Sequence, residues 1–272
     1  MRGASLLLAG ALLGGCSSTT FAEPRLLVSP YMAIYQVRGE TGMQSQPVPN
    51  GPIQNNPPQS MRTFGQDRHD ENPGLRLDLG DGFAGVRLDY YKMDMYSSRK
   101  GVLGADWGAL QMNDLVRMEI QMDEFRLGYL ENIYDTKTEW RGSPLTFRVA
   151  AGGVISHRTM AMRGRTDDGM RRQDAHPEGE NFYPAARARA TWRDFSFDVD
   201  YAISPGLSLS GDFTDTLQDM EFRLSYAVPL RDMTFFAGFR YSQMPAEGNS
   251  GPFQYDADLT VDGYQLGLQI VF

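Results

Sequence analysis

The sequence predicts an all-β fold, an antiparallel up-and-down β-barrel of about ten strands. Eight is the other even count that fits, if one weak early segment stays out of the wall. Three observations predict this. Apolar and polar residues alternate with a period of two in segment after segment, which marks strands with two unlike faces. The connections alternate long and short, as in barrels with tight turns at one end and long loops at the other. The last segment sets Tyr264, Leu266, Leu268, Ile270 and Phe272 against Gln265, Gly267 and Gln269, and the sequence stops on that aromatic. A chain of 272 residues is commonly one domain in this class. No run approaches the ~20 apolar residues of a spanning helix, so a helical membrane protein is excluded, whereas a barrel dilutes its apolar signal with lumen-facing residues.

Tyr264, Leu268 and Phe272 resemble the C-terminal signal strand of bacterial outer-membrane β-barrels, whose terminal aromatic and alternating apolar residues are read by the assembly machinery. That resemblance covers only the last strand. It implies a Gram-negative outer membrane, both termini in the periplasm and the long loops outside the cell. It implies as partners the barrel-assembly machinery, membrane lipid and lipopolysaccharide, and no cofactor.

The N-terminus reads as an export signal. Arg2 supplies a positive start and Leu6 to Leu13 an apolar stretch of the expected length. Leu13-Gly14-Gly15-Cys16 resembles a lipobox, and Cys16 is the single cysteine, so no internal disulfide forms and acylation explains it. Ser17 in the next position resembles sorting to the outer membrane. The rival reading is ordinary cleavage after Ala22, with Thr20 and Ala22 as the small residues. Residues 1–15 are thus a signal segment, 16–24 a short linker and 25–272 the barrel.

Ten segments follow in order. Residues 25–37 are weighted by Leu27, Tyr31 and Tyr35. Leu75, Leu77 and Leu79 make the second. Ala84, Val86, Leu88 and Tyr90 make the third, and residues 118–134 the fourth. Leu145, Phe147 and Val149 start the fifth, which runs to about His157. Ala186, Ala188, Ala190 and Trp192 give the sixth; Phe195, Phe197, Val199 and Tyr201 the seventh; Met220, Phe222, Leu224 and Tyr226 the eighth; Phe235, Ala237, Phe239 and Tyr241 the ninth. The terminal strand is the tenth. Residues 38–72, 94–116, 159–181, 204–217 and 243–258 read as long loops. Gly80-Asp81-Gly82, Arg193-Asp194 and residues 229–232 read as tight or short turns, with 135–143 intermediate.

The face opposite the apolar one carries Arg76, Asp78, Arg87, Asp89, Glu124, Arg126, Arg148, Arg187, Arg189, Asp198, Asp200, Glu221, Arg223 and Arg240. A soluble sandwich would turn those charges to water; a barrel turns them inward, where mixed signs pair. The expected lumenal network is Arg187, Arg189, Asp198, Asp200, Glu221 and Arg223, with Arg193 as a further partner. Tyr90, Tyr91, Tyr96, Trp107, Tyr129, Tyr134, Trp140, Trp192, Tyr226 and Tyr241 read as interfacial girdles.

The expected role is non-enzymatic: a charge-filled barrel with a structural or surface-interaction function. The alternatives are a narrow ion or solute pore and a lipid- or peptide-hydrolysing enzyme. Net charge is −8, with no basic stretch, which argues against nucleic acid. His157-Arg158-Thr159 is similar to the His-x-Ser pair of outer-membrane lipid A deacylases and phospholipases. Thr replaces the nucleophile, the strand is wrong and the sequence identifies no supporting carboxylate, so coincidence is expected. His69 and His176 fall in loops with no metal-binding pattern. Arg163, Arg165, Arg171 and Arg172 are placed to meet lipopolysaccharide phosphates, or else belong to a solvated loop of mixed charge.

Overall fold

The computed structural model describes residues 25–66, 68–204, 208–213 and 217–272. The expected signal segment, the expected linker and Cys16 lie outside them. The strands are β1 (Arg25–Met43), β2 (Gln59–Ser60), β3 (Asp70–Gly80), β4 (Gly85–Tyr96), β5 (Gly101–Val102), β6 (Leu115–Trp140), β7 (Ser143–Thr166), β8 (Arg172–Ala175), β9 (Glu178–Trp192), β10 (Phe195–Ile203), β11 (Ser208–Gly211), β12 (Gln218–Ala227), β13 (Met233–Ser250) and β14 (Phe253–Val271). Ten of them form a closed antiparallel ring: β1-β3-β4-β6-β7-β9-β10-β12-β13-β14 and back to β1. The short β2, β5, β8 and β11 are appended to it. Closure between β14 and β1, with Tyr264 opposite Ile34, leaves no free edge.

Along the longer wall strands the inward and outward faces exchange their chemistry part-way up. On β6, Phe125 and Leu127 face outward and are exposed, while Glu124 and Arg126 face the lumen. Further up the same strand, Gln121 and Asp123 face outward while Met118, Ile120 and Met122 are buried inside. On β14, Tyr264 and Leu266 face out below, and Val261, Leu259 and Ala257 face in above. The lower half is therefore apolar outside and charged inside. The upper half is polar outside with a largely apolar core.

This inversion corrects three expectations. Most of 159–181 and 243–258 is strand, not loop, and 38–72 and 94–116 lose their ends to strands: β1 runs on to Met43, β6 starts at Leu115, β7 reaches Thr166, and β13 and β14 meet at Ser250 and Phe253. The alternation persists there with opposite sign, so a search for one apolar face stops too early. The charged filling occupies only the lower half of the lumen. Tyr91 and Trp107 are not girdle residues; both are buried inside the barrel, at 1% and 0% exposure.

The upper core is closed by two inserted segments. Residues 44–66 carry a 3-10 turn, Met61–Phe64, and 97–114 carry Leu103, Trp107 and Leu110. The Phe64 and Trp107 rings meet edge to face at 5.5 Å. Trp107 Nε1 donates to Thr41 Oγ1 at 3.4 Å. Gly164 admits this plug: a Cβ there would stand 2.8 Å from Leu110 Cδ1 and 3.1 Å from the Trp107 ring. Met43, Met61, Met93, Met95, Met118, Met122, Met160, Met162 and Met244 all belong to this core. The unbranched thioether chain suits an irregular space between a wall and inserted loops.

Candidate functional site: the filled lumen

The lower end is stopped by the β3–β4 turn. Asp81 Oδ1 accepts the backbone N–H of Phe83 at 2.9 Å and of Ala84 at 2.8 Å, folding the turn inward. Phe83 is thereby buried against Leu130 and Ala150. The Arg148 and Arg189 guanidinium groups lie 4.4 and 5.2 Å from its ring centre. Arg187 Nη1 donates to the Phe83 carbonyl at 2.7 Å and Arg189 Nη2 to the Gly82 carbonyl at 3.1 Å. The tight turn expected at Gly80-Asp81-Gly82 is thus also a stopper.

Above it, period-two placement on neighbouring strands brings opposite charges face to face. Arg189 pairs with Asp198 at 2.5 Å, and Arg187 with Asp200, from directly opposed positions of β9 and β10. Arg87 bridges Asp78 at 2.5 Å and Asp200 at 3.2 Å. Arg76 bridges Asp89 and Glu221, each at 2.8 Å, crossing the lumen from β3 to β12. Arg223 reaches Glu221 at 3.0 Å. All six residues expected in the network lie in it. A cavity of about 70 Å³ remains between Arg76, Asp78, Arg87, Asp200 and Glu221, room for water molecules and little else.

The top tier centres on Glu124, which is fully buried. It accepts from Arg158 at 2.5 Å and Arg240 at 3.1 Å, with Arg126 Nε at 3.0 Å. Asp219 accepts from Arg126 Nη2 at 2.5 Å, and from Arg240 through Nη2 at 2.8 Å and Nε at 3.2 Å. Arg158 is held through one nitrogen; among the described residues its Nε and Nη1 have no partner. Sequence reasoning missed Arg158, Asp219 and Phe83. Arg158 shares the inward face with Ser156 and Met160, opposite the motif-like neighbours His157 and Thr159. Arg193 is corrected: it sits in the β9–β10 turn, donates to Ser143 Oγ at 3.0 Å and stacks on Trp192 at 4.7 Å, outside the network.

The remaining candidates lie outside the lumen. Tyr264 and Phe272 face outward, at 63% and 72% exposure, and Leu268 is half-buried on the same face. Tyr264 packs edge-on to Phe239 at 5.5 Å, and the Phe272 N–H donates to the Leu26 carbonyl at 2.8 Å. His157 is on the outer wall with Glu180 at 3.9 Å and Glu178 at 4.0 Å. The carboxylates that the sequence did not identify come from β9, but the group is open to solvent and beyond hydrogen-bond length. Among the described residues no His, Cys, Asp and Glu cluster has metal-binding geometry.

No family model matches the chain, and no curated protein matches it. Solved structures similar to it include the outer membrane protease OmpT from Escherichia coli, 9% identical over 95% of this chain and 99% of that one, TM-score 0.49. The Pseudomonas putida toluene transporter TodX is 8% identical over 93% and 91%, TM-score 0.31. A Pseudomonas aeruginosa FadL homologue is 9% identical over 92% and 90%, TM-score 0.27. At these values the reading of function rests on this chain's own residues.

Proposed function

We propose that the chain is a sealed outer-membrane barrel with a structural or surface-interaction role, neither pore nor hydrolase. The observation that carries this reading is a lumen filled at every level: Phe83 at the bottom, paired charges in the middle, a methionine-rich core at the mouth. The outer belt of Leu26, Met32, Ile34, Leu75, Leu79, Phe125, Leu127, Leu224 and Leu266 supports membrane placement, since a soluble protein rarely leaves so large a contiguous apolar band to water. Trp140 and Trp192, packed at 4.9 Å under Arg141 and Arg193, suit the membrane–water boundary at the short-turn end. The inserted loops then close the extracellular mouth.

Planar-bilayer recording tests the proposal. The wild type is expected to give at most small, rare openings, because a ten-stranded wall holds side chains and little more. Large, steady conductance would overturn the sealed barrel and favour the pore.

A further inference from the structure

The outer wall above the apolar belt carries a transverse row of four cations. Arg117 on β6 is directly opposite Arg165 on β7, and Arg165 is directly opposite Arg172 on β8. Gly101 on β5 pairs with Val116, which puts Lys100 beside Arg117. All four side chains are exposed. Like charges directly opposed across strands are destabilising, and the row holds only two acids. Asp167 serves both Lys100 at 2.6 Å and Arg117 at 3.7 Å, and Asp174 serves Arg172 at 2.7 Å. Nearby Asp168 is turned to the Thr166 hydroxyl and the Met170 N–H. Arg165 is exposed and meets no acid among the described residues. One level down the charges balance, with Arg163 on Glu119 at 3.2 Å. On a chain of net charge −8 this local excess of positive charge calls for an anion from outside.

We propose that the Lys100-Arg117-Arg165-Arg172 row binds the anionic saccharide of lipopolysaccharide, through phosphate or carboxylate groups on its core sugars. This rests on the outer-membrane reading above and names a partner for that surface. Height selects the ligand. Arg117 lies ~26 Å along β6 from Phe125, the last outward belt residue, at ~3.3 Å per residue, or ~20 Å above it at a strand tilt of ~40°. Lipid headgroup phosphates sit at the top of the belt; at the height of the row stand the sugars. Guanidinium groups suit this role because each presents a planar fork of donors to an oxyanion.

The test is binding of purified full-core lipopolysaccharide, and separately of lipid A lacking core sugars, to the detergent-solubilised protein. The comparison is between the wild type and the Arg165→Gln/Arg172→Gln pair. The pair should weaken binding of the full-core form by about tenfold at low salt, an effect fading at high salt, and leave lipid A binding unchanged. Equal full-core binding by both proteins, or an equal loss toward lipid A, would overturn the row as a saccharide site. The same samples are run unboiled and boiled on a detergent gel. A boiling-dependent shift with no difference in binding overturns the row alone. Absence of a shift, with recovery in the soluble fraction, overturns the membrane barrel and the row with it.

Discussion

Glu124→Ala is expected to destabilise the barrel by about 3–5 kcal/mol, read as the midpoint of urea unfolding in detergent. Among the described residues Glu124 is the one acid that Arg158 reaches, and it is also an acceptor for Arg240. Removing it strands a guanidinium that is itself fully buried. Breaking one side of such a pair costs far more than the pair contributes, because the surviving charge cannot be solvated. Adding Arg158→Met should recover part of the loss, since the unpaired charge is then gone. Asp168→Ala, in an exposed turn, is the control and should shift the midpoint by less than about 0.5 kcal/mol. Equal shifts for Glu124→Ala and Asp168→Ala would mean that water fills the lumen and screens the network.

Trp107→Ala should act on the mouth rather than the wall. The indole is fully buried between Phe64, Thr41 and the glycine at 164. A truncation of that size costs about 3–5 kcal/mol where the surroundings cannot collapse, and rigid strands enclose this site. The expected result is cleavage by added protease within 44–66 and 97–114, with the ten-stranded wall intact and still shifted by boiling on a gel. Loss of the whole barrel would show that the cap and the wall fold as one unit. Resistance equal to the wild type would show that Trp107 does not hold the cap.

The wall was legible in the sequence because a barrel strand has an outer face and a lumenal face that differ in polarity. The pairs Arg187–Asp200 and Arg189–Asp198 were legible for a related reason: a two-residue turn fixes the register of β9 against β10, so opposed residues are readable from the turn outward. Arg76 to Glu221 was not, because that bridge crosses the lumen between strands that are not neighbours, and no local pattern encodes the crossing. The upper core escaped notice for a different reason. Met118, Ile120 and Met122 obey the same alternation as Phe125 and Leu127 but on the opposite parity, so residues 118–134 read as one strand while the apolar residues of its first part face inward rather than outward. Phe83 and Trp107 sit in turns and loops, where nothing in a sequence distinguishes a residue tucked into a barrel from one facing water.

Spin labels scanned along the outward face of β6 test the sealed membrane barrel most directly. Single cysteines at Glu119, Gln121, Asp123, Phe125 and Leu127, in a background lacking Cys16 and reconstituted into liposomes, report contact with oxygen or with a water-soluble nickel reagent. The labels at Phe125 and Leu127 should favour oxygen, those at Glu119, Gln121 and Asp123 should favour nickel, and the crossing should fall between Phe125 and Asp123, where the outward face turns from apolar to polar. Nickel contact of equal strength at all five positions would contradict membrane placement of the belt, and with it the account of why the charges turn inward.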